Sequence, residues 1–150
     1  MDRITAREMV CRIVFECGYN AEDAEKSLND RLSPEGFAAL RGEDDVYSAF
    51  PSKKQEDYIR RVVEGVLARA EELDGYIAKY ALGWQLNRVS RMSVAILRVC
   101  MYEVLYMEDI PDNAAINAAI DIGKLYLDDD GSSFIHGVLG AFFRGEKEQS

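Results

Sequence analysis

The residue types best suited to nucleophilic chemistry lie near the carboxyl end of the chain. Ser132 and His136 are four residues apart and so share one face of a helix, and residues 128–130 are all aspartates. A serine hydrolase uses these residue types, but the Gly-x-Ser-x-Gly turn that often exposes the nucleophile is absent. His136 is the one histidine of the chain, so a catalytic triad or a histidine-rich metal site depends on a single residue. The pattern favours an ordinary helical face over an active site.

The sequence also gives little support for a metal site, a phosphate-binding loop or a redox-active cysteine pair. The run of aspartates at 128–130 could bind a divalent cation, but a solvated turn explains it better. The glycines near the carboxyl end are spread through a helical pattern, whereas a phosphate-binding loop needs them clustered before a helix. Cys11, Cys17 and Cys100 cannot all pair, and each lies in an apolar stretch, which predicts free, buried thiols in a reducing compartment. We therefore expect no catalytic residue, no metal ion and no cofactor.

Two features remain that could contact RNA. Arg3 and Arg7 share a face of the opening helix near the free amine, and they form a small positive end on an otherwise acidic chain. Phe134 lies next to Ile135 but points about 100° away from it around a helix. This ring could flank the core, or it could be an exposed aromatic on which an unpaired base stacks. The residues themselves leave both interpretations open.

Length and charge set limits on these features. The 150 residues match one domain, 48% are hydrophobic, and no apolar run is long enough to span a membrane, which predicts a cytoplasmic globular protein. The net charge is −9, but it is unevenly distributed. Residues 1–50 carry six basic and eleven acidic side chains, residues 51–100 nine and six, and residues 101–150 three and ten. Any RNA contact must therefore be small or shared with a partner.

The segments that carry these residues are all predicted to be helices. Apolar residues recur at helical spacing between turn signals, and no segment alternates convincingly as a strand would. The sequence predicts an all-α fold of six or seven helices in a single domain over residues 1–150. We expect an opening helix that ends at Gly18, followed by helices over residues 21–32, 34–40, 59–80, 93–107 and 113–126, and a last helix capped by Ser132 or Ser133. Residues 41–52 are polar and predict a loop.

Three of these expectations concern packing. The apolar residues between 59 and 80 are spaced alternately four and three residues apart, which predicts one long amphipathic helix. The helix over 93–107 is apolar on nearly every side and should be central, so Arg98 within it should pair with a carboxylate from another helix. Asn117 lies among small residues and is expected to be a buried amide, and Asp112 is expected to cap the helix that follows it.

From Asp74 onward a set of residues occurs in a characteristic order: Asp74-Gly75, Trp84, Arg88, Ile96-Leu97-Arg98, Tyr102-Glu103, Pro111, Ile116-Asn117, Ala119, Lys124, Phe134, and Gly137-Val138-Leu139. Ala6-Arg7-Glu8, Phe15 and Gly65-Val66 extend this pattern toward the amino end, whereas residues 21–54 show no match. In this order the residues resemble the NusB family of transcription antitermination factors.

The resemblance implies two small helical bundles packed as one domain and a non-enzymatic role. NusB-like proteins bind boxA-type single-stranded RNA in nascent ribosomal RNA together with the ribosomal protein NusE, and the assembly helps RNA polymerase pass termination signals. Residues that match the RNA-contacting positions are Arg3, Arg7, Lys124, Ser133 and Phe134. Residues that match the NusE-facing positions are Phe15, Tyr19, Asn87 and Ser93.

Two alternatives stay open. One is a homodimeric interaction module of the same fold with weak or no RNA affinity, because some family members associate through the RNA-binding face. The other is the helical domain of an RNA cytosine methyltransferase, although the chain shows no cofactor-binding or nucleophilic segment.

Overall fold

The computed structural model describes residues 1–18, 20, 22–43, 49–84 and 89–148, and at 40–43 it describes the backbone alone. Regular structure in these ranges is entirely helical, which confirms the all-α class. The described residues form eight α-helices rather than the predicted six or seven. They are α1 (Arg3–Cys17), α2 (Glu22–Arg31), α3 (Pro34–Glu43), α4 (Lys53–Ala68), α5 (Ala70–Tyr80), α6 (Arg91–Tyr106), α7 (Asp112–Tyr126) and α8 (Asp129–Phe143), followed by a π-helical turn (Arg144–Glu148).

The helices group into two compact units, Met1–Ala68 and Arg69–Ser150. In the first unit, α1 packs against α4 and α2, and α2 also contacts α3 and α4. In the second unit, α6 contacts α5, α7 and α8, and α8 also packs against α5 and α7. Among the described helices, none combines the length and the apolar character that a membrane span requires.

Helix α1 ends at Gly18, as its sequence predicts. Its N-cap is Asp2, whose Oδ1 accepts a hydrogen bond from the Thr5 amide at 2.8 Å, and Gly18 ends it with a φ of 61° that favours glycine. The predicted apolar stripe is fully buried; it consists of Ala6, Val10, Ile13, Val14 and Cys17. The three cysteines are buried and none forms a disulfide, as expected.

The predicted long helix over 59–80 is wrong as a continuous element, because it breaks at Arg69 into α4 and α5 (φ −118°, ψ 21°). The Arg69 guanidinium lies 4.1 Å from the centroid of the Tyr106 ring and donates to the Tyr106 hydroxyl and to Glu72. The apolar stripe on either side of the break stays buried. Hydrophobic spacing therefore could not reveal the break, since the apolar residues keep helical spacing in the sequence on both sides of Arg69.

Helix α6 is the central element of the second unit, as predicted, and residues 95–104 are all buried. Arg98 on this helix pairs with Asp74 of α5, with Nε 2.7 Å from Oδ1 and Nη2 2.8 Å from Oδ2. The expected ion pair with a carboxylate from another helix is confirmed. It fixes α5 against α6 through a two-point contact of defined geometry.

Four smaller predictions fail at helix boundaries and on one surface. The last helix is capped by Asp128 rather than by a serine: its Oδ1 accepts from the Gly131 amide at 2.7 Å, while the Ser132 hydroxyl donates to the Gly123 carbonyl. Helix α7 starts at Asp112 itself, after Pro111, and has no side-chain cap.

Asn117 is exposed rather than buried, because small neighbours such as Ala118 and Ala119 occupy the inner face. Helix α3 continues to Glu43, so residues 41–43 are helical rather than part of the predicted loop, and residues 44–48 of that prediction lie outside the described residues.

Candidate functional site

The amino end of α1 is a small positive surface in the first unit. Arg3 is exposed in the first turn, and Arg7 is half-buried one turn later, where it contacts other groups. No acidic residue lies within that first turn, so the positive end of the helix dipole and Arg3 add to each other. Asp2 supplies the one carboxylate of the cap. Hydrogen bonds from the side chain and then the amide of Thr5 lower the pKa of Asp2. This end of the helix can attract an anion such as a phosphate.

The second unit carries the remaining predicted RNA contacts. Lys124 is exposed on α7, and Ser133 is exposed on α8. Phe134 is only 2% exposed and belongs to the core, so the structure decides between the two interpretations that the sequence left open. In this structure the ring offers no open face for stacking. The residues Arg3 and Arg7 belong to the other unit.

The Phe134 ring instead supports an exposed one. Trp84 packs against it edge to face, with ring centroids 5.0 Å apart and planes at 74°, and Trp84 is 42% exposed. Sequence reasoning noted Trp84 only as part of the family pattern. The signal that could have singled it out is its position outside any helical pattern, directly after Gly83, where an amphipathic ring has few helical neighbours to cover it.

Both rings line a cleft of about 470 Å³ at the start of α6 and α8, which we term the Trp84 cleft. Its described lining consists of Gly83, Trp84, Val89, Ser90, Ser93, Asp128, Asp130, Gly131 and Phe134. Two helix N-caps place most of these groups: Ser90 caps α6 and Asp128 caps α8. Gly83, with a φ of 85°, makes the turn that carries Trp84 into the cleft.

The predicted partner-binding residues are differently placed. Ser93 is 1% exposed, and its hydroxyl lies 2.8 Å from that of Ser90, so it forms part of the cleft floor rather than an open surface. Phe15 is half-buried on α1. Tyr19 and Asn87 lie outside the described residues.

The Ser132–His136 pair has no catalytic geometry. His136 is exposed, and the Ser132 hydroxyl donates to a backbone carbonyl. Within the described parts of the chain, no group of three or more histidine, cysteine or acidic side chains is placed to hold a metal ion.

Comparison with known sequences gives a consistent result over nearly the whole chain. The model of the NusB family matches residues 4–144. A transcription antitermination protein NusB from Ruminiclostridium cellulolyticum is 30% identical over 149 residues, covering 99% of this chain and 93% of its own. The protein of the same description from Clostridium botulinum (strain Kyoto / Type A2) is 33% identical over 140 residues, covering 93% and 98%.

Solved structures show the same fold. NusB of T. maritima superposes with a TM-score of 0.68 at 26% identity, covering 95% of this chain and 90% of that one. A crystal structure of the antitermination factors NusB and NusE in complex with double-stranded RNA gives a TM-score of 0.69 at 20% identity, covering 95% and 96%.

Proposed function

Because the chain belongs to the NusB family, we propose that it binds boxA-type single-stranded RNA in nascent ribosomal RNA together with NusE, as part of the RNA polymerase antitermination complex. The family consists of non-enzymatic transcription antitermination factors, so no catalytic role is assigned to any residue. The observation that carries the proposal is the family match, which runs through both compact units. A fold neighbour solved with NusE and double-stranded RNA supports NusE and RNA as the two kinds of partner.

In the first unit, the phosphate contacts are assigned to Arg3 and Arg7. A cation in the first turn of a helix is electrostatically unfavourable for the helix itself, so Arg3 is not explained by helix stability. Phosphate binding gives this charge a use, since RNA backbone contacts come mainly from Arg and Lys side chains and from helix amino ends.

In the second unit, the exposed side chains of Lys124 and Ser133 are the proposed contacts. Lys124 supplies a phosphate contact, and Ser133 a hydrogen-bonding hydroxyl at the start of α8. Phe134 is not part of these exposed contacts, because its ring is buried against Trp84. A direct contact between Phe134 and a base would require the covering side chains to move.

The net charge of −9 sets the expected strength of binding. A few cations on an acidic protein release few counterions, so affinity for RNA should be weak for the isolated chain. NusE is expected to raise it by adding positive charge and a second RNA-contacting surface.

The direct test is a gel-shift titration with boxA RNA, scrambled RNA of the same length, and boxA annealed to its complement, each with and without NusE. The proposal expects preferential binding of single-stranded boxA that strengthens when NusE is added. Equal binding of all three RNAs, or full-strength boxA binding without NusE, would contradict it. Light scattering in the same solutions tests the homodimer: a dimer that boxA and NusE leave intact favours the interaction module.

A matched pair of variants tests the assignment of α1. Arg3→Ala should weaken boxA binding and lower the slope of log affinity against log salt by about 1, which is the change expected for one lost phosphate contact. Lys26→Ala removes an exposed cation from α2 of the same unit and should leave both quantities unchanged. Equal effects of the two variants would show that only net charge matters.

A further inference from the structure

The Trp84 cleft has two properties that binding of an RNA backbone does not use. It exposes a large part of an indole ring, and its rim carries two carboxylates, those of Asp128 and Asp130. Its volume of about 470 Å³ lies within the usual range for ligand sites, roughly 300–1,000 Å³.

The aromatic part of the cleft is held in a fixed geometry. Phe134 is buried and packs edge to face on Trp84, so it supports one side of the indole and leaves the rest open. Trp84 is therefore a supported ring that can receive a flat group. Tryptophan is also the best of the aromatic side chains at attracting a cation to its face.

The charge of the cleft identifies the kind of group that fits. Asp128 uses Oδ1 to cap α8, and among the described residues the Asp130 side chain has neither a hydrogen bond nor an ion pair. The amino ends of α6 and α8 oppose these carboxylates with about half a positive charge each. Among the described lining residues, two full negative charges exceed that sum, so these residues favour a cation over a phosphate.

We propose that the Trp84 cleft binds the guanidinium of an arginine side chain from a basic protein partner. The planar cation stacks on Trp84 and donates hydrogen bonds to the Asp130 carboxylate. An arginine is favoured over a lysine because its guanidinium is flat, weakly hydrated and able to donate two parallel bonds to one carboxylate. This inference rests on the proposed function only in taking NusE as the partner that presents the arginine.

Trp84 is the sole tryptophan of the chain, so its fluorescence reports on this cleft alone. The first experiment titrates the protein with capped arginine amide, and in parallel with capped citrulline amide, which has a similar shape but no charge. We expect a saturable change in Trp84 emission with the arginine compound at millimolar concentration and none with citrulline. Identical responses to the two compounds, or no response to either, would overturn the inference.

The second experiment tests the partner with two neighbouring aspartates of α8. Asp130→Asn should weaken NusE binding about threefold to tenfold, as expected for a partly exposed charged hydrogen bond. Asp129→Asn removes a neighbouring exposed carboxylate that is not among the described lining of the cleft and should leave the affinity unchanged. Equal affinities for both variants would count against an arginine at this site even though NusE binds, whereas absence of NusE binding to the unmodified protein would count against the proposed function itself.

Trp84 emission and the Asp130→Asn variant also test the rival occupant, which is an unpaired RNA base stacked on Trp84. If boxA alone shifts the Trp84 emission while NusE does not, the cleft is an RNA site and the inference is wrong. If NusE shifts the emission and Asp130→Asn abolishes that shift, the cleft belongs to the protein partner.

Discussion

Trp84 and Phe134 form one aromatic pair with two different environments: their centroids are 5.0 Å apart, but Trp84 is 42% exposed and Phe134 only 2%. Phe134 therefore contributes to the stability of the fold, and Trp84 provides the exposed aromatic surface. Replacing either ring should have effects that separate folding from binding.

Phe134→Ala should destabilise the protein by about 3–5 kcal/mol, because it removes a buried ring and leaves a cavity beneath Trp84. Urea unfolding measures the loss. Ser133→Ala changes the exposed neighbour on the same helix and should stay within about 0.5 kcal/mol of the unmodified protein. A loss below about 1 kcal/mol for Phe134→Ala would show that this ring is not a core residue.

Replacing Asp74 and replacing Arg98 should lower the stability of the protein by different amounts. The Arg98 side chain is 4% exposed and that of Asp74 is 29% exposed. Asp74→Ala leaves a buried guanidinium without its two-point partner and should destabilise the protein by about 3–5 kcal/mol. Arg98→Met fills the same core position with an apolar chain, and water can still reach the Asp74 carboxylate. Unfolding measurements in which Arg98→Met is the more harmful substitution would contradict this account.

Gly83→Ala should displace Trp84 without creating a clash. A methyl group at this position meets no atom within 4 Å, but the φ of 85° is strained for alanine. We expect a destabilisation of about 1 kcal/mol and a red-shifted Trp84 emission as the ring moves toward water. Gly75→Ala on α5 is the control, because that site is equally open and has no positive φ.

Gly145→Ala should release the π-helical turn that follows α8. A methyl group there would lie 2.7 Å from two ring carbons of Tyr80, closer than contact allows. Because Tyr80 also hydrogen-bonds Glu146, the substitution should separate the turn from α5. Amide hydrogen exchange should increase for residues 146–148 and stay unchanged in α6. Unaltered exchange in the turn would show that Tyr80 can move aside.

The contribution that the contact between Glu146 and α5 makes to stability should be lost at low pH and at high pH. Hydrogen bonds from Tyr80 and then Lys79 lower the pKa of Glu146, and the same contact raises the pKa of Tyr80 and of Lys79. The contribution of Glu146 is present above its unfolded pKa and is lost as pH falls through the lower, folded value. The contributions of Tyr80 and Lys79 are present below their unfolded pKa values and are lost as pH rises through the higher, folded ones.

NMR titration of the Glu146 carboxyl carbon and the Tyr80 ring measures these pKa values directly. The Glu146→Gln variant is the control, and in it the pKa of Tyr80 should fall back toward its ordinary value. A Tyr80 pKa that is the same in both proteins would show that the two side chains do not interact in solution.

The sequence by itself determined the helical class, the central position of α6 and the need for a carboxylate beside Arg98. These follow from local periodicity and from the cost of burying an unpaired charge, and both act wherever the chain folds. The family pattern in the sequence likewise implies RNA and NusE as partners.

Only the tertiary structure decided which carboxylate pairs with Arg98, where the 59–80 helix breaks, and that Trp84 rather than Phe134 presents the exposed ring. Each of these depends on which side chain from a distant segment occupies a given space. Hydrophobic spacing identifies the face of a helix but not the neighbour that covers it, so Phe134 could be assigned to the core only once Trp84 was found against it. The Trp84 cleft has the same origin, because a turn and the amino ends of two helices form it together.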